Sequence, residues 1–592
     1  MMEQTGGDKI VGCGDVGARD RHPALCYLRS FKEYVLMTLS RLTNVAAVVL
    51  GSAALALTAA VPAHVHAARP HISSSYPPLV VAGILAPPYV QNFNPYNSAT
   101  NYTVLAMAGM MYEPLYFVDN AVGQEHPWLA TSYSYSKDLK TLTFNIRQGV
   151  RWSDGQPFTA RDVYYTLGIL GRKNAAFDRV GLLSGAATKV TMPSATQVAI
   201  TFKTVDTTRI ATIGSTLIVA PEHIWSKVKD PLRYVDTNPV GTGPFIQVSN
   251  FTARGFDVSR NPNYWQKGVP AFNTIRVVGF TSSDAQNLAL ASGQIDWGNT
   301  LIPNVSRVYE SRSPNYHHFY DPRAGLPNYI VTNDTKYPFT LIPFRKALSM
   351  AINRQAITQD AEFGYNPPTD VTGLRGPYNS WIDPSIPNTV MQYDPAASMA
   401  MLKGAGFTMQ NGHLADPKGR QVSFDCQTFP QADTIASCQI IDNNLKAIGI
   451  DAGIKTYPYQ NVQAHMKAAD FDIVYWNGGG NISPYFTYYF ECDPNTPYVH
   501  SHWQNPQMTS LLVQFRSTTD SQQQHKLMYQ MERLWADNLP EIPVNIAPAP
   551  SEYSTANYTG FPTPANDYAF TQPFSLVPDT LLMVTRIHPS HA

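Results

Sequence analysis

The stretch from Asp138 to Leu167, DLKTLTFNIRQGVRWSDGQPFTARDVYYTL, admits few local structures. Leu142, Phe144 and Ile146 alternate with Thr143 and Asn145, the period-two pattern of a strand with one face buried. Gln148-Gly149 ends that run, and Trp152-Ser153-Asp154-Gly155 reads as a tight turn in which Gly155 is free to take positive φ. Thr159 is placed to cap a helix, with Asp162 bonding back to it in a capping box. Val163, Tyr164 and Leu167 continue that helix on one apolar face. A strand–turn–helix unit of this kind occurs in many folds.

At 592 residues the chain can hold several cores, roughly four domains' worth at about 150 residues each. Its 43 basic residues balance its 43 acidic ones, which argues against a polyanionic partner such as nucleic acid. Only 15% of residues are charged, against about 25% in typical soluble proteins. Tyrosine (33) and phenylalanine (26), with amides and hydroxyls, fill the gap, so recognition here works through rings and hydrogen bonds.

Val45 to Val61 is an uncharged apolar run preceded by Arg29, Lys32 and Arg41 and followed by Val65-His66-Ala67. That is the order of a secretory signal, with Met37 as an alternative start; an uncleaved membrane anchor is the other reading. Gly12-Cys13-Gly14-Asp15-Val16-Gly17 fits a dinucleotide fingerprint but has no β-α-β unit around it. Cleavage would leave Cys426, Cys438 and Cys492. Cys426 sits on an expected strand and Cys438 on the next helix, so they can pair in an oxidising compartment or stay as two buried thiols. No C-x-x-C, Cys/His cluster, G-x-S-x-G, H-E-x-x-H or Walker A sequence is present. Neither a metal, a cofactor nor a catalytic residue is expected.

Strands are expected at Pro77–Ala86, Val198–Phe202, Val422–Phe424, Ile454–Tyr457 and Phe471–Trp476. Helices are expected over Val104–Met111, over Ser282–Ser292 with Ala285, Leu288 and Leu290 near one face, and over Phe344–Ile357. Another runs from Asp394-Pro395 to Gly404, and a further one spans Ile435–Ile448. Ser521 is expected to cap a last long helix whose Leu527, Met531, Leu534 and Trp535 form a core stripe.

The Trp152-Ser153-Asp154-Gly155 turn with Thr159-Ala160-Arg161-Asp162-Val163 resembles the signature of the family 5 extracellular solute-binding proteins, the dipeptide- and oligopeptide-binding subunits of ABC importers. Further blocks resemble that family in order: Tyr112-Glu113-Pro114-Leu115, Pro127-Trp128-Leu129-Ala130, Gly241-Thr242-Gly243-Pro244-Phe245 and Arg260-Asn261-Pro262-Asn263-Tyr264-Trp265. Ser292-Gly293-Gln294-Ile295-Asp296, Arg345 to Arg354 and the Asp394-Pro395 helix continue the likeness, which spans nearly all of residues 77 to 550. The turn blocks read as packing elements, with Tyr264 and Trp265 plugging a core.

The resemblance implies an α/β, two-lobed periplasmic-binding-protein fold (type II, cluster C), with an extra subdomain inserted in the N-terminal lobe. The expected division is 1–67 signal with extended n-region, 68–112 first lobe, 113–235 inserted subdomain, 236–328 first lobe, 329–545 second lobe and 546–592 first lobe again. Tyr329 to Asn333 looks like the strand by which the chain crosses to the second lobe. No Cys follows the apolar leader, so the lipid tether of many relatives is absent and a periplasmic or extracellular location is implied. The implied function is capture of oligopeptides by closure of the lobes and delivery to ABC permease and ATPase subunits, as a monomer and without chemistry. Alternatives are an oligosaccharide or other neutral solute on the same fold, or a secreted enzyme or scaffold.

The resemblance points to Asn94 and Tyr96, in the loop after the first strand, as cleft residues; a solvent-exposed loop is the other reading. It also points to Trp476, Asn477, Gly480, Asn481 and Tyr485 around the Gly-rich segment, which otherwise is a plain strand-to-helix link. Tyr378 and Trp381 are further aromatic candidates. Peptide-binding relatives place an Asp after the Trp-bearing strand to hold the peptide ammonium, whereas this chain has Gly480 or Asn481. An amide supplies no charge, and charge-assisted bonds are roughly twice as strong as neutral ones.

Overall fold

In the computed structural model, the residues that the structure describes are 76–83, 88–97, 109–119, 121–177, 186–322, 326–365, 367–374, 378–478, 483–492, 501–547, 549–570, 572–573 and 579–591. The leader, Cys13 and Cys26, residues 104–108 of the expected helix, Gly480 and Asn481 lie outside them.

The strand–turn–helix forms as its residues dictate. Thr141–Ile146 is a strand with Leu142, Phe144 and Ile146 buried. Gly155 takes φ +90°, and its N–H donates to the Trp152 carbonyl at 2.8 Å. The Thr159 side chain accepts from Arg161 N–H, while Thr159 N–H donates to Asp162 Oδ2 at 2.8 Å. The helix Ala160–Tyr164 then widens into a π-helix over Tyr165–Leu170. At that step the Thr166 hydroxyl donates to the Asp162 carbonyl and accepts from Ala220 N–H, so a side chain intrudes on the helical ladder. The strand is central in a four-stranded antiparallel sheet ordered Ala130–Tyr135, Thr141–Ile146, Gln197–Phe202, Ala187–Ser194.

A seven-stranded sheet gathers segments far apart in the chain, in the order His317–Tyr320, Ser551–Ser554, Trp297–Gly298, Leu79–Ala82, Thr274–Val278, Gly255–Arg260, Phe245–Thr252. A five-stranded sheet is ordered Asp451–Thr456, Ser423–Thr428, Ile473–Asn477, Pro327–Thr332, Glu541–Ile546. Its first three strands run parallel around the crossover helix Ala432–Lys446. Cys426 and Cys438 form a disulfide that ties that helix to the sheet, with their Cα atoms 6.1 Å apart. Cys492 is buried, apart from that disulfide.

The chain leaves the first sheet through Pro327–Thr332 and returns to it through Glu541–Ile546. These two strands are antiparallel neighbours, every residue of both is buried, and Asn328 faces Asn545. Glu362 clips them together. It accepts from Asn545 Nδ2 at 2.6 Å and from Asn328 Nδ2 at 3.1 Å, and the Tyr475 hydroxyl donates to it at 3.2 Å.

Three expectations about helices need correction. The helix expected over Phe344–Ile357 is broken: Ile342–Ala351 ends at Ile352, and Asn353 caps a new start by accepting from Ala356 N–H. The last long helix, Ser521–Asn538, is capped by Asp520, not Ser521, because the Asp520 carboxylate reaches Gln523 N–H. In Ser283–Ala291 the buried face is Gln286, Ala289 and Leu290, and Leu288 is 67% exposed. The Asp394 cap and the core stripe Leu527, Met531 and Trp535 form as expected, while Leu534 is partly buried against the same core.

Candidate functional site

A cleft of about 480 Å³ opens between two groups of elements. One wall comes from the four-stranded sheet and the elements packed on it: Tyr116, Glu125, Tyr133, Tyr135, Thr207 and Thr208. The other comes from loops and helices around the five-stranded sheet: Tyr378, Trp381, Ser483, Pro484, Phe515 and Gln524. The walls are tied at one rim. Thr207 N–H donates to the Arg516 carbonyl at 2.7 Å, and the Thr207 hydroxyl donates to the Thr518 carbonyl at 2.8 Å.

Aromatic rings dominate the surface. Tyr116 and Tyr133 meet edge to face with centroids 5.1 Å apart, and Tyr133 and Tyr135 do so at 6.2 Å. Opposite them, Trp381 stacks on His525 at 3.7 Å. Burial, followed by the bond to Glu125, raises the Tyr116 hydroxyl well above its ordinary pKa; burial and then Glu125 push Tyr133 up to about 12. Burial, then the charge of Asp579, raises Tyr378 as well. All three keep their protons at neutral pH, and Tyr116 and Tyr133 donate theirs to Glu125. The Tyr378 hydroxyl is buried and has no hydrogen-bond partner among the described residues.

The structure brings Tyr378 and Trp381 together on the cleft wall. Tyr485 stands just behind it, 1% exposed and stacked on Phe515 at 5.3 Å. Trp476 is buried and stacks on Tyr459 at 4.8 Å, and half-buried Asn477 ends its strand. At the next residue, Gly478, a Cβ would lie 2.4 Å from the Tyr329 ring, so only glycine fits that approach. Asn94 and Tyr96 do not line this cleft. Asn94 Nδ2 donates to the carbonyls of Pro231 (2.8 Å) and Tyr234 (2.9 Å), and the Tyr96 hydroxyl donates to Ile218 O at 2.6 Å. Tyr96 packs edge-on against Phe177 and Trp225. Both are buried, so the solvent-exposed reading of their loop does not hold.

Sequence reasoning missed Tyr116, Glu125, Tyr133 and Tyr135. The available signal was Tyr133 and Tyr135 at period two among serines, an aromatic stripe on the outward face of a strand.

Two sheets joined by a pair of crossing strands, with a third sheet inserted in the first and a cleft between the walls, define a two-lobed binding protein. The chain belongs to the bacterial extracellular solute-binding proteins, family 5, whose model matches residues 124–497. It is 26% identical over 470 residues to the glutathione-binding protein GsiB of Salmonella typhimurium, covering 77% of this chain and 87% of that one. The fold matches the periplasmic oligopeptide-binding protein of an ABC transporter from Thermotoga maritima with a TM-score of 0.76 and 21% identity, over 86% of this chain and 99% of the other. The same Thermotoga protein with mannohexaose bound matches at 0.70 and 23% identity, over 87% and 99%. The fold is thus the cluster C, type II periplasmic-binding-protein fold, and the chain is the substrate-binding protein of an ABC importer. Among the described residues no helix is long and apolar enough to cross a membrane.

Proposed function

We propose that this protein captures oligopeptides in the cleft between its lobes and hands them, chemically unchanged, to an ABC permease and its ATPase. The observation that carries the reading is the cleft itself. Its walls come from opposite lobes and offer ring faces and hydroxyl donors, which suit peptide groups of varied sequence. The glutathione- and oligopeptide-binding relatives support the same ligand class. Closure is favoured because a ligand touching both walls contacts more of the closed form than of the open one. The protein works outside the cytoplasm as a monomer, delivered by the leader of residues 1–67, and the ATPase partner supplies the energy.

A neutral oligosaccharide is the second reading. It is favoured by the tyrosine and tryptophan surfaces, by the lack of an acid at Gly480 and Asn481, and by the mannohexaose complex of a protein with this fold. A thermal-shift screen of di- to hexapeptides against oligosaccharides separates the two. A ligand at about 100 times its Kd adds about 2.7 kcal/mol of stability. Peptides are expected to raise Tm, and a shift with oligosaccharides alone overturns the peptide reading.

A further inference from the structure

Glu125 is the one charged residue among the described residues that line the cleft. It begins the strand Glu125–Pro127, which pairs antiparallel with Tyr116–Val118. Its side chain is held from two sides: the Tyr116 hydroxyl donates to Oε2 at 2.5 Å and the Tyr133 hydroxyl to Oε1 at 3.4 Å. Among the described residues no Lys, Arg or His pairs with it, whereas Asp119, Asp257, Asp383, Asp416 and Asp442 each have such a partner. The residue is exposed, the hydroxyl ends of Tyr116 and Tyr133 meet it, and Tyr135 stands beyond Tyr133 on the same wall.

A fixed, uncompensated carboxylate on a wall of tyrosines is a site for a cation. The carboxylate supplies the charge, and the ring quadrupoles of the tyrosines add to the attraction. Two tyrosine donors leave lone pairs on both carboxylate oxygens, enough to accept from an ammonium or a guanidinium. We infer that the Glu125–Tyr116–Tyr133–Tyr135 corner of the cleft binds a positively charged nitrogen of the ligand, so the inserted subdomain supplies the charge that the Gly480–Asn481 segment lacks. The inference rests on the cleft being the ligand site and deepens the peptide reading: cationic peptides are the preferred class.

The test uses the mature full-length protein and isothermal titration with three probes: Ala-Lys-Ala, its N-acetylated norleucine counterpart without a cation, and agmatine, a cation without a peptide bond. Wild-type protein is expected to bind Ala-Lys-Ala at least about tenfold more tightly than the uncharged peptide, with the gap narrowing as salt rises. Glu125→Gln is expected to close that gap while leaving the uncharged peptide's affinity unchanged. Tyr116→Phe, which keeps the carboxylate but removes one of the donors that fix it, is expected to narrow the gap less than Glu125→Gln does. An exposed position keeps the Gln variant folded, which an unchanged Tm verifies. A wild-type protein without the gap, or a Gln variant that retains it, overturns the inference and leaves the peptide reading standing. Agmatine binding that depends on Glu125, with no peptide bound, sustains the inference and removes the peptide reading. Failure of all three probes to bind overturns the inference.

Discussion

Trp128 Nε1 donates to Glu113 Oε1 at 2.6 Å, and two more donors, from residues 151 and 152 positions further along the chain, reach the same oxygen. They are the Tyr264 hydroxyl at 3.0 Å and Trp265 Nε1 at 3.1 Å. Asn261, from the same block, donates to the Gly243 carbonyl at 2.9 Å. Four of the short sequence blocks thus meet at one buried carboxyl and the turn beside it. Glu113→Ala strands three donors, and each buried unpaired group costs about 1–3 kcal/mol. A loss of at least about 3 kcal/mol in chemical denaturation is expected, with Glu113→Gln losing less because it keeps an acceptor oxygen.

Burial raises the carboxyls of Glu113, Asp334 and Glu362 to about 7 and those of Glu532 and Glu552 to about 8. Their folded-state values lie above the unfolded ones, so between about pH 4.5 and pH 8 the folded chain holds more protons than the unfolded chain. Stability therefore falls as pH rises through this window. Tm by calorimetry is expected to be higher at pH 5 than at pH 8. Glu362→Gln, which remains neutral between Asn328 and Asn545, is expected to make that slope shallower; an unchanged slope would remove Glu362 from the account.

The disulfide closes a short loop, with a sequence separation of 12. Chain-entropy reasoning gives about 3 kcal/mol for a loop of roughly this size. Cys426→Ala with Cys438→Ala is expected to lower stability by that order, and dithiothreitol is expected to lower the wild-type Tm but not that of the double variant.

Tyr378 lines the cleft, and its buried hydroxyl has no hydrogen-bond partner among the described residues. Removing it costs the free protein no hydrogen bond. Tyr378→Phe is expected to leave Tm of the ligand-free protein unchanged or slightly higher and to weaken ligand binding by about tenfold, the worth of one buried hydrogen bond. A variant that loses stability but not affinity would mark the hydroxyl as structural.

Features set by neighbours a few residues apart were legible in the sequence: the Thr159 and Asp394 caps, the Gly155 turn and the Cys426–Cys438 pairing as one of two options. The break at Ile352-Asn353 was not, because apolar spacing runs on through it and only the Asn353 cap, held by the Asn444 side chain 91 residues away, stops the helix. Tyr378 and Trp381 stood out because aromatic residues are conspicuous in a Pro- and Gly-rich loop. Tyr133 and Tyr135 did not, since rings on the outer face of a strand become a wall only when the second lobe packs opposite. The first-strand loop misled for the opposite reason: Asn94 looks like a ligand contact, yet its amide is spent on the carbonyls of Pro231 and Tyr234.

Pro327–Thr332 and Glu541–Ile546 are bonded to each other within one sheet, and Glu362 fastens both. The outgoing and returning passages consequently cannot slide past or part from one another. Any swing of this sheet against the seven-stranded one must therefore be absorbed by chain outside the paired strands.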